Sequence, residues 1–151
     1  KVPEGILLSI GLNDTAKVGQ PNGRSQLSSE AYGFGLYQLL KEIKINTTLF
    51  LIGLTPVDEL AMPFADCLWY SNKSCSIYES KIEEVCLELN IPFLPIYNKL
   101  TNQKEWRNFI EPDGIHLNSD GHYWIYKQVK TWKPLLDWSG LEETKTLTPI
   151  Y

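Results

Sequence analysis

Apolar positions fall along the chain in short unbroken runs separated by stretches of helical period. Ile6-Leu7-Leu8-Ser9-Ile10 ends at Gly11 and then turns polar, which predicts a buried strand delivering a loop. From Lys17 to Ser29 the residues are mostly Gly, Pro, Asn, Ser and Gln, the composition of a surface connection. Ser28 to Lys44 places Tyr32, Leu36, Leu39, Leu40 and Ile43 on one helical stripe in spite of Gly33 and Gly35. Thr48 to Leu54 is apolar without alternation, as expected of a strand covered on both faces in a parallel sheet, and Thr55-Pro56 stops it. Residues 57–70 hold Met62, Pro63, Phe64, Trp69 and Tyr70 without a period, so this irregular segment either lines a cleft or joins the core.

A second helix is predicted over Ser74 to Leu89, with Tyr78, Ile82, Val85, Cys86 and Leu89 inward and Glu79, Lys81, Glu83, Glu84 and Glu88 elsewhere. Ile91 to Ile96 reads as a strand at a sheet edge, because Pro92 and Pro95 cannot donate to a ladder. The last helix is expected from Ser119, as N-cap, to Trp132, with Asp120 facing the helix dipole. His122, Ile125, Val129 and Trp132 form its stripe and Pro134 ends it. Alternating strands and helices predict an α/β domain: a three-layer α/β/α open parallel sheet of flavodoxin-like type.

Composition fits this picture and narrows the function. The chain has 151 residues, 43% hydrophobic and 21% charged, suited to one globular domain, with a polar, Thr-rich extended tail at 141–151. A formal charge of -4 gives no electrostatic reason to expect nucleic acid. No run approaches the roughly 18 apolar residues of a transmembrane helix. Cys67, Cys75 and Cys86 form neither a disulfide framework nor a zinc pattern, which fits a reducing, cytoplasmic setting. The chain opens at Lys1 without an initiator Met, as a processed or truncated product would, so a signal peptide is not open to judgement.

Ligands of open parallel sheets sit beyond the carboxyl ends of the strands, which makes Gly11-Leu12-Asn13-Asp14 the first candidate for chemistry. A carboxamide there can aim its N–H at an oxygen gaining negative charge, a glycine allows close backbone approach, and Asp14 can brace the turn. An Asx turn is an equally good explanation of those residues alone. Asp113-Gly114-Ile115-His116 is the second candidate, since three residues through a glycine let a carboxylate reach one imidazole nitrogen and free the other for proton transfer. By itself Asp-x-x-His turns up by chance in roughly one chain in six, so a surface turn is the plainer explanation until the two motifs are taken together. His116 and His122 with Asp113 and Asp120 lack a known metal-ligand spacing, and neither motif calls for a metal or cofactor. Glu83 with Glu84, and Glu142 with Glu143, read as solvated surface charge.

Taken together and in this order, Gly11-x-Asn13-Asp14 after a strand and Asp113-x-x-His116 before the terminal helix resemble the GDSL or SGNH family of hydrolases. The resemblance implies an esterase or lipase acting on a small-molecule ester or related acyl bond. It implies that Asn13 is an oxyanion-hole donor, His116 the general base and acid, and Asp113 its orienting partner, with Gly11 and Asp14 supporting the loop. Trp69, Tyr70 and Trp106 are candidate cleft walls. The family's Gly-Asp-Ser nucleophile block and its oxyanion glycine block are not found here, and only five residues precede Ile6. The nucleophile is therefore expected outside residues 1–151, with the first βα units, while Ser9 is read as a hydroxyl bonded within its strand. A non-catalytic α/β binding module that retains the scaffold is the alternative.

In the family's strand order the run at Ile6–Ile10 would lose a neighbour and expose an apolar edge. Residues 1–151 alone are thus predicted to be poorly soluble or to pair with an N-terminal segment or another chain; light scattering that finds a monomer unfolding in one cooperative step would contradict this.

Overall fold

Side chains along the strand Thr48–Ile52 alternate between two hydrophobic clusters, and this alternation sets the layers. Leu49 and Leu51 pack with Tyr32, Leu36, Leu40, Tyr78, Ile82 and Val85 on one side. Ile52 packs with Leu94, Ile96, Leu100 and Trp124 on the other, where Phe50 meets Trp132 and Trp138 edge to face. A strand buried on both faces needs the near-continuous apolar sequence seen there. The computed structural model describes residues 1–141, so most of the tail at 141–151, with Glu142 and Glu143, lies outside the described residues.

In chain order the elements are β1 (Gly5–Leu8), β2 (Lys17–Val18), α1 (Ser29–Ile43), β3 (Thr48–Ile52), β4 (Leu68–Trp69), α2 (Asn72–Glu88), β5 (Phe93–Leu94), α3 (Tyr97–Thr101), α4 (Ser119–Lys130) and α5 (Lys133–Ser139). The main sheet is parallel with order β1-β3-β5, and β2 pairs antiparallel with β4 in a small second sheet. Helices α1 and α2 cover one face of the main sheet, α4 and α5 the other. The fold is the expected α/β/α arrangement. The edge position of β5 follows from the prolines that flank it: the Leu51 amide in β3 and the Gly53 amide just after it donate to the carbonyls of Pro92 and Leu94, at 3.0 and 2.8 Å, so no proline nitrogen is asked to donate. Among the described residues β1 pairs with β3 alone.

Several local expectations give way to packing. Asn118 caps α4 in place of Ser119, its Oδ1 accepting from the Gly121 amide at 3.0 Å. His122 is exposed, and Trp124 takes the buried position on that helix. Leu39 is likewise exposed on α1. Pro134 does more than end a helix, since it stands in the first turn of α5, where a missing amide hydrogen costs nothing. β1 closes at Leu8, so Ile10 belongs to the following loop.

The largest departure concerns Glu79, which the helical pattern places outside the core and which is only 5% exposed. Its carboxylate accepts from the Leu54 amide at 2.7 Å and from the Tyr97 amide at 3.1 Å, joining the residues that follow β3 and β5. Burial pushes this carboxyl above its ordinary range, against the opposing pull of those amides. Glu79→Ala in the full-length protein leaves the buried Leu54 amide and the partly buried Tyr97 amide without this acceptor and should cost about 3 kcal/mol in urea unfolding; a loss below about 1 kcal/mol would show that the carboxylate is not what joins the two strand ends.

Candidate active site

The loop after β1 reaches the carboxyl end of the sheet through Gly11, whose φ of +117° lies where side chains are disfavoured. A Cβ there would also overlap the Tyr32 hydroxyl, which donates to the Ile10 carbonyl at 3.1 Å. Burial and then the nearby Asp14 carboxylate push the Tyr32 phenol up. A single 3-10 turn follows over Asn13–Thr15. The buried Thr15 hydroxyl braces it by donating to the Leu12 carbonyl at 2.8 Å. Bracing was expected of Asp14, but among the described residues its carboxylate has no hydrogen bond.

Asp113 and His116 are carried on a tight hairpin closed by the bridge between Ile110 and Leu117. The Glu111 amide donates to the His116 carbonyl at 2.8 Å, and the Gly114 amide to the Glu111 carbonyl at 3.0 Å. Gly114, at φ +83°, lets the hairpin sit against the loop after β3: a Cβ would lie 2.7 Å from the Ala61 Cβ, and the Gly114 carbonyl accepts from the Asp58 amide at 2.8 Å. The Asp113 Oδ2 to His116 Nδ1 distance is 2.6 Å, while Asp113 Oδ1 accepts from the amides of Ile115 and His116 at 3.0 Å each. Burial raises the Asp113 carboxyl, but the imidazole contact and the two amides outweigh it and hold it below its ordinary value. An ionised Asp113 fixes the proton on Nδ1 and leaves Nε2 free.

A chain of aromatic contacts joins the two motifs. The rings of His116 and Phe64 meet edge to face at 5.9 Å between centroids, and Phe64 meets Tyr70 at 6.3 Å. The Tyr70 hydroxyl, its phenol pushed up by burial, reaches Asn13 Oδ1 at 3.5 Å, the outer limit of a hydrogen bond. Asn13 is thereby oriented with its N–H groups unclaimed. Beneath, Leu12 and Phe64 pack on a cluster of Ala16, Val57, Tyr70, Cys75 and Ile115, so the immediate neighbours of Asn13 and His116 share one apolar floor. A hollow of about 400 Å³ opens over the ends of β1 and β3, lined by Ser9, Gly11, Asn13, Asp14 and Thr55.

Not every candidate is gathered here. Trp69 pairs with Lys17 in the small sheet, and Trp106 packs against the cluster under α4, beneath the Arg107 guanidinium. Ser9 lies past the end of β1, exposed, and among the described residues its hydroxyl has no hydrogen bond, so the strand-bonded reading fails. In the sequence Phe64 is one of several aromatic residues offered for cleft or core, and Glu79 one of several charged residues off the apolar stripe. No group of three or more metal-ligating side chains occurs among the described residues, and no described helix is long and apolar enough to cross a membrane.

Because its folded pKa is depressed, Asp113 contributes stability that is present above its ordinary value of 3.8 and lost as pH falls through the lowered one. Acid unfolding should therefore show a stability gap between wild type and Asp113→Asn that holds down to about pH 4 and narrows below it; a gap unchanged at pH 2 would mean the carboxylate makes no such contact.

Comparison with known proteins bears on the family and the fold. The chain is 25% identical over 111 residues to a GDSL esterase/lipase of Arabidopsis thaliana, covering 68% of this chain and 36% of that protein. It is 18% identical over 153 residues to a GDSL esterase/lipase of Oryza sativa subsp. japonica, covering 92% and 59%. It thus spans between about a third and three fifths of the length of these relatives. The fold is similar to the crystal structure of a lipase/acylhydrolase from Enterococcus faecalis, with a TM-score of 0.72 at 17% identity over 95% of this chain and 65% of that one. The model of the GDSL-like Lipase/Acylhydrolase family matches residues 2–124, and the chain belongs to that family.

Proposed function

We propose that the intact protein is a serine hydrolase of ester or related acyl bonds, with its nucleophilic serine in a segment outside residues 1–151. The observation that carries this reading is the 2.6 Å contact of Asp113 with His116 Nδ1, which leaves Nε2 free within an aromatic chain leading to Asn13. In the first half-reaction His116 Nε2 takes the serine hydroxyl proton as the serine oxygen bonds to the acyl carbon. Asn13 donates to the resulting oxyanion, and Asp113 stabilises the imidazolium. The ester C–O bond then breaks and Nε2 passes its proton to the leaving alcohol. Water, deprotonated by the same nitrogen, cleaves the acyl-serine, releasing the acid and restoring the hydroxyl.

Gly11 supports this role by letting the backbone pass close to Tyr32, whose hydroxyl donates to the Ile10 carbonyl, and Asp14 by lining the same hollow as Asn13. The serine segment is proposed to lie along the free edge of β1, beside the hollow that Ser9 and Asn13 line. One observation favours a second reading, a non-catalytic α/β binding module: among the described residues no serine hydroxyl bonds to His116. A fluorophosphonate probe separates the two, since labelling of the full-length protein and not of residues 1–151 supports the hydrolase.

In the full-length protein His116→Ala should abolish turnover of p-nitrophenyl esters, and Asn13→Ala should lower kcat roughly 10²-fold, the scale of one oxyanion donor. Unchanged rates in either variant would rule out the assigned roles.

A further inference from the structure

We infer that Phe64 determines specificity in this site by supplying the apolar contact for the alcohol portion of the ester, an assignment that rests on the acyl-transfer reading above. Asp113 occupies His116 Nδ1, so only Nε2 can deliver a proton to the leaving oxygen. That oxygen must come to the free edge of the imidazole, and whatever it carries must extend over the surface adjoining the ring. Phe64 adjoins it. Its ring meets His116 at 5.9 Å and 70° on one side and Tyr70 at 6.3 Å and 77° on the other, and Tyr70 in turn reaches Asn13. The half-buried phenyl group thus stands against the proton carrier, with its exposed part available beside the imidazole.

Phe64 is also held firmly. Its amide donates to the Leu68 carbonyl at 2.8 Å and its carbonyl accepts from the Leu68 amide at 2.9 Å. The turn between them passes through Ala65 and Asp66 at φ +48° and +62°, a left-handed region that non-glycine residues enter only when the surroundings fix them. The Gly19 amide ties the turn to the small sheet by donating to the Cys67 carbonyl at 2.8 Å, and Met62 Sδ accepts from the Tyr70 amide at 3.4 Å. An aromatic floor fixed in this way discriminates by how much apolar surface the substrate lays on it.

The test uses the full-length protein and two acetate esters that differ only in the alcohol, ethyl and hexyl. Truncating an apolar contact of this kind changes relative kcat/KM by about tenfold or more. Phe64→Ala should therefore lower the hexyl-to-ethyl ratio of kcat/KM about tenfold, and Phe64→Leu, which keeps an apolar side chain, should recover most of it. If Phe64→Ala does not fold, Phe64→Tyr, which keeps the ring and adds a hydroxyl to the floor, should lower the same ratio. An equal fall for both esters would show that Phe64 only positions His116 and would overturn the assignment, as would an unchanged ratio. A wild-type full-length protein that hydrolyses neither ester and takes no fluorophosphonate label overturns the acyl-transfer reading itself, which distinguishes that failure from failure of the role given to Phe64.

Discussion

The site depends on a small apolar cluster set apart from the main core. Ala16, Val57, Tyr70 and Ile115 come from four different connections and Cys75 from α2, and none lies in the central sheet. Ordering loop backbone costs about 1–2 kcal/mol per residue, whereas burying a side chain the size of Ile or Val returns about 1.5–3 kcal/mol. Loops that shared no buried residues would have little to set against that cost. Because Leu12 and Ile115 both pack here, the loop bearing Asn13 and the hairpin bearing His116 are ordered against the same surface. Functional side chains on loops gain fixed positions in this way without belonging to a strand or helix.

Around that cluster, buried polar groups hold the strand ends in register. Glu79 joins the residues after β3 to those after β5, and the Asn72 carboxamide grips Val57 from both sides, accepting from its amide at 3.1 Å and donating to its carbonyl at 2.8 Å. Both residues sit on α2, so one helix braces the turn that faces Asn13 across the hollow. A charge buried for packing alone would be costly, and amide acceptance at two strand ends accounts for its presence.

How much of this was visible in the sequence varied with the range of the interaction responsible. Short-range constraints were visible: Asp113 and His116 stand three apart through a glycine, Gly11 follows an apolar run, and the two prolines near β5 exclude it from the sheet centre. The uniform apolar character of Thr48–Leu54 likewise indicated cover on both faces. Long-range packing was not visible. His122 and Trp124 are two residues apart on one helix, and only the shape of the cluster below decides that the indole goes in. Glu79 resembles its exposed neighbours Glu83 and Glu84 until the strand ends that need its oxygens are in place. Phe64 gains significance only when its ring meets both Tyr70 and His116 across the fold.

The central claim is spatial: the Asn13 amide and the His116 imidazole serve one reacting centre at the carboxyl end of the sheet. A crystal structure of the full-length protein inhibited by an alkyl phosphonate measures this directly, because the phosphonyl oxygen stands where an oxyanion would. Asn13 Nδ2 should lie about 2.7–3.1 Å from that oxygen, with His116 Nε2 in hydrogen-bond reach of the phosphonylated serine. A phosphonate seated with either side chain turned away from it would contradict the claim.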